Sequence, residues 1–298
     1  MHDFQYAAPT TLQSALALLA QQSTSARPLA GGTDLIDQMR VGRMAPQLVI
    51  DVKKIAELNV LSCDSQGLRV GAAVPCYRIS EHAAIRHDYA ALADSCAIIG
   101  GVQIQSRATV GGNLCTSGPA GDTTPSVIAL GGICVIAGPS GTREVPAETF
   151  CTAPGKNVLQ PGELLVELRF PAPTAQSGSH YRRLIPRNEM DIAVVGVGVH
   201  VTLDKQQKAF SSVRLALGAV APTPLLVTSI SQALAGQAIT DAVFAQAGEL
   251  ARAAASPITD MRGTQEYRRH VTGVLVERAL RAAVDRARGQ TIDYRPGH

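Results

Sequence analysis

Two glycine-pair stretches, Ala30-Gly31-Gly32-Thr33-Asp34 and Thr109-Val110-Gly111-Gly112-Asn113, constrain this 298-residue chain more than anything else in it. Adjacent glycines let backbone amides approach a ligand closely, and the threonine, asparagine and aspartate side chains beside them add short hydrogen-bonding groups. A single pair of this kind marks a turn. Two of one type, each ahead of a predicted helix, offer free amides that can hold a pyrophosphate between them. Neither stretch has the G-x-G-x-x-G spacing of a dinucleotide fingerprint, and no Gly-Lys-Ser/Thr follows either, so Rossmann and Walker loops are excluded.

The texture around the first pair is that of a small α/β lobe. Phe4 to Ala7 reads as a strand, and Thr10-Thr11-Leu12-Gln13 as a capping box opening a helix with Leu12, Ala15, Leu16 and Leu19 on one face, fading over Gln21 to Ser25. Arg27 to Ala30 and Gln47 to Val52 read as strands around a helix at Asp34 to Val41. From Ile55 short strands and turns take over, at Asn59 to Leu61 and Leu68 to Ala72. Helices are predicted from Ser80 and from Tyr89 to Ile99, with Gln103 to Ala108 as a loop. A helix at Thr124 to Leu130 and strands at Ile133 to Ala137 and Leu164 to Phe170 follow. Pro171 to Ser179 loses apolar periodicity and reads as a linker. Beyond it a hairpin of Ile192 to Leu203 and Ser212 to Val220 precedes three helices, the last at Gln265 to Arg288.

Composition removes several function classes. A net charge of +3 with scattered basic residues leaves no footprint for nucleic acid. The six cysteines stand 13 to 20 residues apart without a C-x-x-C pair, so they read as reduced thiols and not as metal ligands; no metal site is expected. No run of about 18 apolar residues and no N-terminal signal is present, which predicts a cytoplasmic chain that does not enter a membrane. Asp122 reads either as a solvated carboxylate capping the helix after it or as an acceptor for ribityl and ribose hydroxyls; Thr33 and Asp34 carry the same ambiguity. Cys115 reads as a packed thiol, since no lysine or histidine lies near it in sequence. The arginines of Tyr181 to Ala193 fit either a ligand phosphate or an ion-pair network that fixes a loop.

Taken in order, Ala30 to Leu35, Thr109 to Leu114 and Arg187-x-x-x-Asp191-Ile192-Ala193, together with Phe4-x-Tyr6-x-x-Pro9 and Pro257 to Gly263, resemble the FAD-binding medium subunit of molybdenum hydroxylases over nearly the whole chain. That family includes the medium subunits of carbon monoxide dehydrogenase and the equivalent domain of xanthine dehydrogenase. The resemblance implies an α+β fold: a two-subdomain FAD-binding domain of the vanillyl-alcohol oxidase type over 1–172, divided at about 54, then a C-terminal antiparallel sheet plus helices over 180–290. It implies that Leu29, Ala30, Gly31, Gly32, Thr33, Asp34 and Leu35 wrap the FAD pyrophosphate and that Thr109, Gly111, Gly112 and Asn113 continue the cradle. Thr116 and Asp122 would take the ribityl and ribose hydroxyls, Ile99 would stand near the adenine and Leu165 would pack on the isoalloxazine. Arg183 would border the flavin where relatives often carry lysine. FAD is expected to be noncovalent, because no histidine lies between His2 and His82.

By the same resemblance the chain is an electron-transfer subunit with no acid–base catalyst of its own. Its expected partners are a small subunit with [2Fe–2S] clusters and a large subunit with the molybdenum cofactor, assembled as a dimer of heterotrimers. The competing readings are a self-contained flavin oxidoreductase of the same wider fold and a flavin-free scaffold subunit.

Overall fold

A computed structural model describes residues 1–22, 25–187 and 189–292. Ser23, Thr24 and Asn188, which belong to the expected helix end and to the arginine segment, lie outside them.

The first lobe is a three-stranded parallel sheet of β1 (Gln5–Ala7), β2 (Ala26–Leu29) and β3 (Leu48–Asp51), ordered β1-β3-β2. Helix α1 (Leu12–Gln21) joins β1 to β2, and α2 (Leu35–Arg40) joins β2 to β3. The start of α1 differs from expectation by one residue: Thr11, not Thr10, caps it, its Oγ1 accepting from the Ser14 amide at 3.2 Å.

A second sheet follows, antiparallel in every pairing. Its first strands are β4 (Leu61–Asp64) and β5 (Gly67–Gly71). Five short helices come next: α3 (Cys76–Ser80), α4 (Ala83–Asp88), α5 (Ala90–Ile98), α6 (Val102–Gln105) and α7 (Val110–Thr116), and then α8 (Thr123–Ala129). β6 (Ile133–Gly138), β7 (Gly141–Pro146), helix α9 (Ala147–Phe150), a ribbon of β8 (Cys151–Ala153) and β9 (Lys156–Asn157), and β10 (Leu164–Phe170) complete it, in the order β4-β5-β10-β6-β7. β10 lies between two apolar cores: Leu164 and Val166 face the first lobe, while Leu165 and Leu168 face the helices. The structure places a helix at Val102–Gln105, overlapping the expected loop at Gln103 to Ala108, and another at Cys76–Ser80, ahead of the helix expected from Ser80.

The third sheet is β11 (Ser177–Leu184), β12 (Val195–Leu203), β13 (Phe210–Gly218) and β14 (Leu225–Leu226), in sequence order and antiparallel. Helices α10 (Thr228–Leu234), α11 (Asp241–Ala254) and α12 (Gln265–Ala287) follow. Val197, Val199, Val201, Val213 and Leu215 form a core with these helices on one face. The opposite face receives α8, all seven residues of which are buried. Bare backbone makes room for it, since a Cβ on Gly198 would stand 2.5 Å from the Pro125 carbonyl. β11 begins at Ser177, inside the expected linker, because Gly178 lets α12 approach to where a Cβ would lie 2.2 Å from the Ala283 carbonyl oxygen. The fold is a mixed helix-and-sheet one, as expected from the sequence.

Candidate functional site

The first glycine stretch leaves β2 at Leu29 and enters α2 after Asp34. A Cβ on Gly31 would stand 1.8 Å from the Arg107 carbonyl oxygen, so only glycine lets this loop meet the chain that leads to the second stretch. Gly32 turns the backbone at a φ of 77°. The amides of Gly31, Gly32, Thr33 and Asp34 donate to no acceptor among the described residues. Gly31, Gly32 and Leu35 are half-buried, Thr33 and Asp34 exposed, so these donors border open space.

The second stretch is not a loop ahead of a helix; it is the first turn of one. Thr109 caps α7, its Oγ1 accepting from the Gly112 amide at 2.9 Å. Gly111 is buried against Ala72, whereas a Cβ on Gly112 would meet only Thr109 Oγ1 within 4 Å. Gly111 therefore serves packing and Gly112 presents bare backbone outward. Thr116 Oγ1 lies 3.0 Å from the Gly112 carbonyl and 3.3 Å from Asp34 Oδ2, so it bridges the two stretches. Asn113 Oδ1 accepts from the Thr123 amide at 3.2 Å and from Thr123 Oγ1 at 2.8 Å, which ties α7 to α8. Between these helices Ser117 adopts a φ of 50°, and a Cβ on Gly118 would meet nothing within 4 Å.

Asp122 departs from the solvated, helix-capping reading. It is buried and makes no side-chain cap bond. Arg183 Nη1 donates to its Oδ2 at 2.5 Å and the Tyr181 hydroxyl to its Oδ1 at 3.0 Å. Burial pushes the carboxyl up more than the Arg183 and Tyr181 contacts pull it down. Arg183 Nη2 donates to the Ile98 carbonyl at 2.7 Å. Two residues of β11 thus reach across the sheet to hold the start of α8 and the end of α5, the latter beside Ile99. Ile99 is buried, and Leu165 is buried in the core under α7 and the second sheet.

Arg187 and Arg262 form a loop-fixing network around Asp191. Arg187 Nη2 donates to the Met190 carbonyl at 2.6 Å and Arg187 Nε stands 3.9 Å from Asp191, whose Oδ1 lies 3.4 Å from Arg262. Cys115 is a packed thiol, pushed up to about 12 by burial and then by neighbouring Cys151. Among the described residues no group of three or more His, Cys, Asp or Glu side chains could hold a metal. Among the same residues no helix is long and apolar enough to cross a membrane.

Sequence reasoning did not find Tyr181, the Ile98 carbonyl or the Arg107 carbonyl. Of these only Tyr181 left a trace, standing two residues before Arg183 and so on the same face of a strand.

Arranged this way, the chain brings two glycine stretches into contact around free amides, with an outward glycine face at Gly112, open space at Gly118 and short polar side chains at Thr33, Asp34 and Thr116. These are the features a pyrophosphate with attached hydroxyl-bearing groups requires, so the residues present fit FAD. Two protein families match the chain. The FAD binding domain in molybdopterin dehydrogenase matches residues 2–173, and the CO dehydrogenase flavoprotein C-terminal domain matches residues 180–283. The carbon monoxide dehydrogenase medium chain of Hydrogenophaga pseudoflava is 32% identical over 280 residues, which is 94% of this chain and 96% of that one. The xanthine dehydrogenase FAD-binding subunit of Escherichia coli O157:H7 is 31% identical over 293 residues, 97% and 99% of the two chains. A solved structure of carbon monoxide dehydrogenase from Hydrogenophaga pseudoflava superposes with a TM-score of 0.91 at 32% identity, covering 96% of this chain and 98% of the other. Quinoline 2-oxidoreductase from Pseudomonas putida 86 superposes with a TM-score of 0.88 at 26% identity, covering 96% and 98%.

Proposed function

The chain belongs to the family of the FAD binding domain in molybdopterin dehydrogenase, and from that premise we propose that it is the medium, FAD-carrying subunit of a molybdenum hydroxylase complex. It is an oxidoreductase component that passes electrons from the [2Fe–2S] clusters of a partner subunit to a final acceptor. FAD when bound accepts electrons one at a time and releases them singly or as a pair.

The chain's own residues hold and orient that group. Leu29 to Leu35 present amides to the pyrophosphate, and Thr109, Gly111, Gly112 and Asn113 complete the cradle from α7. Thr116 and Asp122 serve the ribityl and ribose hydroxyls, Ile99 the adenine, Leu165 the isoalloxazine, and Arg183 borders the ring. Because Arg183 and Asp122 hold each other, they act as one unit that fixes the start of α8. No side chain is assigned a proton-transfer role. The observation that carries this reading is the backbone contact of Gly31 with Arg107, which brings the free amides of the first stretch beside the chain that leads into α7. The chain divides into an FAD-binding part, 1–172, and a C-terminal part, 180–290. Its partners are a small [2Fe–2S] subunit and a large molybdenum-cofactor subunit, in a cytoplasmic dimer of heterotrimers. The flavin-free scaffold draws no support from the site, since the cradle is intact, and the self-contained oxidoreductase draws none from the relatives, which are named as a chain or subunit of larger dehydrogenases.

Gly112→Val tests the placement. It puts a side chain on the outward face of α7, where the pyrophosphate must approach, and is expected to remove the visible flavin absorbance of the purified protein while the circular dichroism spectrum is kept. Stoichiometric FAD in a folded Gly112→Val protein sinks the placement. Isolation from the host without iron or molybdenum partners sinks the subunit assignment.

A further inference from the structure

On the face of the third sheet that receives α8, the strands run on past the C-terminal end of that helix and meet a cavity of about 270 Å³. Its roof is the chain from Pro171 to Thr174, and its floor is His200, Thr202, Ser212 and Arg214. The floor follows from register: His200 pairs with Arg214 and Thr202 with Ser212, so all four side chains leave the sheet on one face. A volume of this size holds about nine waters or a small organic molecule.

The hydrogen-bonding groups that face it are unevenly spent. Arg214 Nη2 donates to the Ile128 carbonyl at 3.0 Å and to Glu148 at 3.3 Å, which fixes the guanidinium, while its Nη1 engages none of the described residues. The His200 ring and the Ser212 hydroxyl have no hydrogen-bond partner among the described residues either. Of the acceptors nearby, the Pro171 carbonyl accepts from the Tyr89 hydroxyl at 2.8 Å and Asp88 Oδ1 lies 2.7 Å from His87 Nδ1, which leaves Asp88 Oδ2 as an acceptor at the rim. Gly131, at a φ of 71°, leaves the wall bare beside the guanidinium. The donors left over are Arg214 Nη1, the His200 ring and the Ser212 hydroxyl, and the positive charge of Arg214 is shared with Glu148 at 3.3 Å and faces Asp88 across the lining.

We propose that this cavity binds a small oxyanion, a phosphate or carboxylate group, held by Arg214, His200 and Ser212 at the junction of the two halves of the chain. The site is separate from the FAD cradle, at the opposite end of α8, and it stands whether or not the flavin placement is correct. The charged guanidinium attracts the anion, and Ser212 and the ring N–H of His200 orient it. Titratable groups facing His200 are Arg214 from β13 and Asp88 from the end of α4.

Titrating inorganic phosphate, and in parallel acetate, into the full-length protein at neutral pH tests this by the NMR signals of its histidines. Saturable movement of the His200 signal, with the other six histidines still, is the expected result for at least one of the two ions. Arg214→Gln is expected to abolish it. Ser212 is exposed, so Ser212→Val leaves the fold unperturbed and is expected to weaken binding roughly tenfold. Failure of both ions to move His200 saturably overturns the proposal. So does movement shared by all histidines, or a folded Ser212→Val protein that binds as the parent does.

Discussion

Replacing Asp94 with alanine should loosen the C-terminal half of the chain from the rest, because this one carboxylate gathers contacts from two of its elements, α12 and β11. Asp94 sits on α5 and is buried. Arg286 of α12 donates to both its oxygens, at 2.6 and 2.9 Å, and the Tyr181 amide of β11 donates at 3.1 Å. His180 Nδ1 stands 2.9 Å from the same carboxylate. Burial opposes ionisation of Asp94, but His180 and Arg286 outweigh it and hold the carboxyl below its ordinary range. Asp94→Ala leaves a largely buried guanidinium with no counter-charge, held only by the Ser179 and Ile292 carbonyls, and a strand amide without its acceptor. Removing one partner of a buried pair costs about 3–5 kcal/mol, and that loss is expected here. Asp94→Asn keeps an acceptor and should cost about half as much. Urea unfolding followed by far-ultraviolet circular dichroism and by tyrosine fluorescence measures it, the chain having no tryptophan. Because Arg286 spends two of its four hydrogen bonds on Asp94, Asp94→Ala and Arg286→Met together should cost clearly less than the sum of the two. A loss below about 1 kcal/mol for Asp94→Ala, or additive effects in the pair, refutes the reasoning.

Gly31→Ala is expected to push the first glycine stretch off the Arg107 carbonyl, lowering flavin content and stability together; equilibrium dialysis with FAD and urea unfolding read both, and parent-like values in the variant contradict the close contact. Arg183→Met strands a buried Asp122 carboxylate and should cost about 3 kcal/mol or more. Asp122→Asn should cost less, because burial already disfavours the charge there; the reverse order in unfolding experiments tells against that account. Acid should destabilise the protein before its carboxylates titrate. Burial and then Arg214 lower His200 to about 4, so the folded chain holds it neutral. The unfolded chain takes up that proton below about 6.5, and stability falls by up to roughly 3 kcal/mol between there and pH 4. His180 acts in the same direction, Asp94 only below the ordinary carboxylate range, and Asp122 in the opposite sense. His200→Gln should flatten the slope of unfolding free energy against pH in that window, and an unchanged slope removes His200 as its source.

Local chemistry explains which parts of the molecule could be read without coordinates. The first lobe was legible because its strands are short apolar runs set between a capped helix and a glycine pair, signals that do not depend on distant residues. The helix at α7 was not, since Gly111 and Gly112 are poor helix formers; it forms because Thr109 caps it while Val110 and Leu114 are buried beneath it. The early residues of β11 look like linker for the same reason, and only the approach of α12 makes Gly178 a strand residue. At the candidate site, glycines and small polar residues announced a cradle. The grip of Tyr181 and Arg183 on Asp122 is between residues about sixty apart, and the Asp94–Arg286 contact spans 192 positions; no spacing rule reaches either.

Helix α8 lies with every residue covered, between the helices of the middle lobe and the glycine-bare face of the third sheet. A rod seated this way leaves no slack for the halves of the chain to rock. Whichever half a neighbouring protein grasps, the other half arrives in a position already decided, and any distance an electron must cross to reach the cradle is set by how the neighbour is seated and not by a hinge inside this chain.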